Sequence, residues 1–127
     1  MQDRYLFRAK RKDDGEWVFG GLSYCEKTGA YFITNMGKDH ISYIGFHQEV
    51  DPNTICQSTG LKDKNGNLIW ENDIVKDNVI YGVVKWDDDN AMYIIDDRDD
   101  GYQVYSDWWH EVEVIGNIFD DLELLED

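Results

Sequence analysis

Two short stretches concentrate carboxylates, Asp87-Asp88-Asp89 and the group Asp96, Asp97, Asp99 and Asp100. Neighbouring carboxylates repel one another and offer hard oxygen ligands. The chemistry open to them is to hold Ca²⁺ or Mg²⁺ and, through such an ion, to support hydrolysis. Neither stretch has the ordered loop of an EF-hand, in which a Glu closes the twelfth position. Asp63-Lys64-Asn65-Gly66-Asn67 begins like one, but its twelfth position is Ile74. Solvated turns are the ordinary role of such stretches, so no metal site is assigned and a metal-dependent hydrolase using the Asp-rich turns stays the third-ranked function.

The other reactive side chains are sparse. His40, His47, His110, Cys25 and Cys56 contain no pair at the close spacing of a zinc site. A Cys-His nucleophilic pair would need a proximity that spacing does not supply. There is no Gly-rich phosphate loop, no Gly-x-Ser-x-Gly elbow and no basic aromatic stripe. No catalytic residue and no cofactor are therefore assigned, and the chain is not read as an enzyme.

The elements that must position these residues are short strands. Tyr5 to Ala9 and Glu16 to Gly20 flank an Asp13-Asp14-Gly15 turn, and further strands are expected at Ala30 to Thr34 and Ile41 to Phe46. Pro52, the single proline, marks a connection, because it lacks the N–H that a central strand needs. Beyond it, Asn65-Gly66 predicts a two-residue type I′ hairpin between Leu61 and Leu68-Ile69-Trp70. Strands follow at Asp73 to Lys76, Val79 to Trp86, Met92 to Ile95, Tyr102 to Tyr105 and Val112 to Ile115, separated by acidic turns. Such short strands suit a small, curled sheet that closes into a barrel. Ser106 to His110 and Asp120 to Leu125 are expected as short helical turns.

The run Thr59-Gly60-Leu61-Lys62-Asp63-Lys64-Asn65-Gly66, leading into Asp73-Ile74-Val75, resembles the signature of the YopX-like family of phage and prophage proteins. Phe7-Arg8-Ala9 with Trp17-Val18-Phe19-Gly20, and Glu113-Val114-Ile115-Gly116-Asn117-Ile118-Phe119, extend the resemblance over nearly the whole chain. It implies a mainly β protein, with an N-terminal β-rich part followed by a small SH3-like barrel, and it supplies no catalytic or binding set to carry over. This chain departs from the pattern at Asn72, where Gly is expected. Asn best replaces Gly at positive φ, so the turn should survive. The expected division is residues 1–58 as the β-rich region and 59–127 as the acidic barrel with its short helical tail.

That division is also one of charge. Met1 to Ser58 holds 7 basic and 8 acidic residues, net −1, whereas Thr59 to Asp127 holds 5 basic and 19 acidic, net −14. A field of that sign repels nucleic acid and anionic lipid and attracts basic partners. No direct nucleic-acid binding is expected through the C-terminal half. The one basic cluster, Arg8, Lys10, Arg11 and Lys12, reads as a solvated turn, with weak nucleic-acid contact as its alternative. Neither a signal peptide nor a membrane span of about 18 apolar residues is recognisable. Two widely separated cysteines fit a reducing compartment, so a cytoplasmic location in the host cell is expected.

Five tryptophans are many for 127 residues. Trp17, Trp70 and Trp86 are expected in the core. Trp108 and Trp109 are adjacent, so their side chains diverge on either a strand or a helix, and one of them should approach the surface. With Tyr105 it forms the candidate interface, set against simple packing in the barrel. The preferred function is a non-enzymatic interaction or assembly module, a homo-oligomer or the partner of a basic host or phage protein. The alternative is an acidic nucleic-acid mimic that occupies a host DNA-binding protein.

Overall fold

A computed structural model describes residues 3–34, 47–97, 103–104 and 108–126. The protein is mainly β, built from two antiparallel sheets. Every helical segment among the described residues is a 3-10 turn of three or four residues. None is long and apolar enough to cross a membrane. The chain forms two compact units, Met1–Ser58 and Thr59–Asp127.

In the first unit β1 (Phe7–Lys10), β2 (Trp17–Cys25), β3 (Ala30–Thr34) and β4 (His47–Val50) are joined by β5 (Cys56–Lys62), in the order β4-β3-β2-β1-β5. Ala9 pairs with Val18, Leu22 with Ile33 and Tyr31 with Val50, so the period of two places these side chains on one face. Ala9, Val18, Ile33 and Val50 are its buried core. Gly15 and Gly29 take φ of +73° and +75° in the two turns beside β2, a region open to glycine without a Cβ clash. Pro52 opens a 3-10 turn, Pro52–Thr54, whose cap is Asp51: its carboxylate accepts from the Asn53 N–H at 3.0 Å. The strand expected at 41–46 lies outside the described residues.

In the second unit the last residues of β5 and β6 (Leu68–Trp70) flank the signature loop, and β7 (Asp73–Lys76), β8 (Tyr81–Asp87), β9 (Met92–Asp97), β10 (Gln103–Val104) and β11 (Glu113–Asn117) make a sheet ordered β10-β9-β8-β7-β11. Among the described residues this sheet does not close, in contrast to the expected barrel, since β10 and β11 stand at opposite edges. Its apolar face is covered instead. Ile69 joins Val75, Ile80, Val84, Ile95, Trp109 and Val112 in one buried cluster, with Leu61, Tyr93 and Val114 packed against it. Ile74, Val83 and Ile94, on the other face of the same strands, are buried as well, which is why β7, β8 and β9 read as continuous apolar runs.

The signature loop also differs from expectation. A type I′ turn needs positive φ at both central residues, whereas here only Gly66 has it, at +83°. Gly66 N–H donates to the Asp63 carbonyl (3.0 Å) and Asp63 N–H to the Asn67 carbonyl (2.8 Å), giving a three-residue loop with a glycine bulge. The physical reason is the Asp63 side chain. One carboxylate oxygen accepts from the N–H groups of Asn65 (2.9 Å) and Asn67 (2.8 Å), which holds the wider loop. Its other oxygen accepts from the Val114 N–H at 2.9 Å and so ties the loop to β11. Asn72 adopts φ +72° in the turn between β6 and β7, as expected of a residue standing in for glycine.

Candidate interaction surface

In the second unit Asp63, Asp73, Asp77 and Asp87 meet backbone N–H groups at the turns, and Asp96 meets a lysine. Asp63 is only 5% exposed. Burial pushes its pKa up, but the N–H groups of Val114, Asn67 and Asn65, with the Asn67 side chain, outweigh this and leave it below its ordinary 3.8. Asp73, 1% exposed, accepts from the Trp70 N–H at 2.8 Å and closes the β6–β7 turn. Asp77 accepts from Val79 (2.7 Å) and Ile80 (2.6 Å) N–H groups at the start of β8. These are architectural contacts, since each satisfies backbone donors that the turn leaves without a strand partner.

The turn Asp87-Asp88-Asp89-Asn90 follows the same logic at its first residue. Asp87 accepts from the Asp89 N–H (3.0 Å) and from the Asn90 side-chain amide (2.7 Å). Asp88 and Asp89 remain exposed. Asp96 faces Lys85 across the strands at 3.2 Å, and Asp97 is buried; Asp99 and Asp100 lie outside the described residues. Among the described residues no three His, Cys, Asp or Glu side chains converge on a point where a metal ion would sit.

The cysteines and histidines are dispersed. Cys56 is buried, and its Sγ donates to the Thr54 carbonyl at 3.3 Å. Cys25 is half-buried, and its thiol is held below the ordinary 9.0 by the Thr28 hydroxyl first and then by the N–H groups of Thr28 and Lys27. His47 Nδ1 meets the Thr34 hydroxyl at 2.9 Å, and His110 is exposed; His40 lies outside the described residues.

The basic cluster of the first unit is also taken up locally. Arg8 is 8% exposed, with its guanidinium 4.7 Å from the centre of the Trp17 ring, and Lys10 Nζ lies 5.4 Å from the same ring. Arg11 is bonded to Asp14, and Lys12 is 3.1 Å from Glu49. A groove of about 350 Å³ between Arg11, Lys12, Asp13, His47, Gln48 and Glu49 therefore presents both signs of charge.

The tryptophans separate into three environments. Trp70 and Trp109 are both 7% exposed, and Trp109 belongs to the core cluster, so of the expected interface set it is the residue that packs inward. Tyr105 and the Trp108 side chain lie outside the described residues. Trp17 is half-buried beneath its two cations. Trp86, expected in the core, is instead 45% exposed. The register explains this correction. Val84 pairs with Ile95 and Trp86 with Tyr93, so Trp86 does point to the core face, but one pair beyond the last covered position, next to the turn.

Trp86 and Tyr93 meet edge to face, with ring centres 5.0 Å apart at 71°. Tyr93 leans on the core cluster and so fixes Trp86 from one side. Covering the remaining exposed ring would be worth on the order of 2 kcal/mol, which makes it the kind of anchor that recognition surfaces use. The sequence held a signal for this pair. Counting outward from the Asp87–Met92 pair that bounds the acidic turn brings Trp86 opposite Tyr93.

No curated protein matches the chain. The family model described as YopX protein matches residues 6–126, nearly the full length in which the signature loop, the first hairpin and β11 lie, and the chain belongs to the YopX family.

Proposed function

We propose that this protein is a non-enzymatic interaction module that engages a basic protein partner through its acidic second unit. The observation that supports this best is the combination of a net charge of −14 on Thr59 to Asp127 with an exposed Trp86, held against the half-buried Tyr93, beside the turn Asp87-Asp88-Asp89. The field raises the encounter rate with a cationic partner, and the apolar surface holds it once it has arrived. Self-association belongs in the same proposal to the nearly neutral first unit, where Tyr5, Phe19 and Tyr24 are exposed and like-charge repulsion is weak. An acidic nucleic-acid mimic would use the same field but would not need the aromatic pair.

The test is affinity capture from host cells expressing the tagged chain, at about 0.05 M and 0.3 M salt, with the bound proteins identified and their stoichiometry measured. The expected result is a basic protein held near one-to-one at low salt and released at the higher. Capture of no basic protein at either salt would overturn the proposal.

A further inference from the structure

Resting on that reading, we infer that Trp86 and Tyr93, at the turn end of the β8–β9 hairpin, form the recognition surface for an arginine-bearing segment of a partner protein. Trp86 takes the guanidinium on its ring, and Asp88 and Asp89 face the charge.

Three features carry this. Trp86 is 45% exposed yet held by its edge-to-face contact with Tyr93, so the surface is preformed. Within the described strand pair, 81–97, there is one basic residue, Lys85, against five acidic ones, and Arg98 lies outside the described residues. Lys85 lies on the opposite face of the hairpin, where its ammonium is drawn to Asp96 at 3.2 Å. Lys85 therefore points away from Trp86, whose neighbours along the chain toward the turn are Asp87, Asp88 and Asp89. The first unit provides the internal contrast, for there Trp17 already has Arg8 and Lys10 against its ring. Among the described residues no cation lies against the Trp86 ring.

Charge decides among the occupants. An exposed Trp-Tyr pair in a basic setting stacks nucleic-acid bases, but phosphates brought to Trp86 would meet the exposed Asp88 and Asp89. A second copy of this chain offers one basic cluster. Its Arg8 is buried, Arg11 is bonded to Asp14 and Lys12 lies beside Glu49. An arginine from another protein is the occupant that both the ring and the turn favour, because a planar guanidinium stacks on an indole where a compact ammonium does so less well.

The experiment measures binding of fluorescein-labelled nona-arginine and nona-lysine peptides to the full chain by anisotropy, at about 0.15 M salt so that unspecific attraction is screened. The native chain is expected to prefer the arginine peptide. Trp86→Ala should weaken arginine binding about fivefold and erase the preference, and Trp86→Phe should restore part of it. A combined Asp88→Asn and Asp89→Asn variant should weaken both peptides alike. Circular dichroism and melting establish that each variant is folded. Unchanged arginine binding by folded Trp86→Ala would overturn the inference while leaving the basic-partner proposal intact. Failure of the native chain to bind either peptide, together with capture of no basic protein, would overturn both. Competition by a dT oligonucleotide, or a native dimer that Trp86→Ala disperses in light scattering, would assign the surface to another occupant and overturn the inference as well.

Discussion

Both units hold exposed ion pairs and turn-capping carboxylates, such as Lys85–Asp96 in the second and Asp51 in the first, but the buried carboxylates Asp63 and Asp73 lie in the second unit and accept from backbone amides. Asp14 meets Arg11 and Glu49 meets Lys12, whereas Asp63, Asp73, Asp77 and Asp121 accept from backbone N–H groups at the ends of strands. The difference has a structural consequence. Exposed ion pairs on long side chains contribute little to stability, since entropy and screening offset the attraction. A buried carboxylate that satisfies two or three amides fixes the backbone itself. The second unit thus carries many acids without needing as many cations, and those on its surface, such as Asp88 and Asp89, remain as field.

The largest break in this comparison is expected at Asp63. Asp63→Ala leaves the amides of Asn65, Asn67 and Val114 without their acceptor in a buried setting and should cost about 3 kcal/mol, read from urea unfolding. Asp63→Asn should fall between this and the native chain, because its amide keeps one acceptor oxygen for the loop but turns a donor toward Val114. The sign with pH follows from the lowered pKa. The folded form favours the ionised side chain, so the stabilisation is fully present above the ordinary 3.8 and fades as pH falls through the lower folded value. Both variants should lack this component of acid sensitivity. An Asp63→Ala chain as stable as the native one would remove the distinction between the two units.

Next in size is Gly82, where backbone meets backbone with no side chain between. A Cβ built on it would overlap the Asp96 carbonyl of β9, and a strand cannot yield there as a flexible side chain could. Gly82→Ala should cost about 2 kcal/mol and loosen the β8–β9 register, seen as faster hydrogen exchange at Val84 and Ile95. At Asn72 the demand is on φ alone. Asn72→Gly should lie within about 0.5 kcal/mol of the native chain, while Asn72→Ala, forced to φ +72°, should lose about 1 kcal/mol in the same urea measurement.

Asn72 was legible in the sequence, because tolerance of positive φ is a property of the residue itself. The alternation of apolar residues likewise gave away most strands, since a period of two is written in the side chains that must share a face. Asp63 was not legible. Asn65-Gly66 is a hairpin signal on its own, but the partner that widens the loop is a carboxylate whose third amide comes from Val114, distant in sequence. Polar residues in a turn are expected in solvent, and only the tertiary arrangement reveals that one of them is buried. Trp86 failed for the reverse reason. Its face was readable, but where the cover over that face ends depends on elements from elsewhere in the chain.

The smallest effect should come from the first unit, and its smallness is the point of the comparison. Lys12 and Glu49 approach to 3.1 Å, yet their side chains are 60% and 42% exposed, so water screens the pair. Lys12→Ala should lower stability by no more than about 0.5 kcal/mol, and even that difference should vanish in concentrated salt. A double-mutant cycle with Glu49→Ala separates the pair's coupling from the loss of either side chain's packing. A coupling well above that size would mean that ion pairs anchor the first unit as firmly as amides anchor the second. A coupling near zero would place the structural role of charge in the acidic unit, at carboxylates that have turned away from solvent toward the backbone.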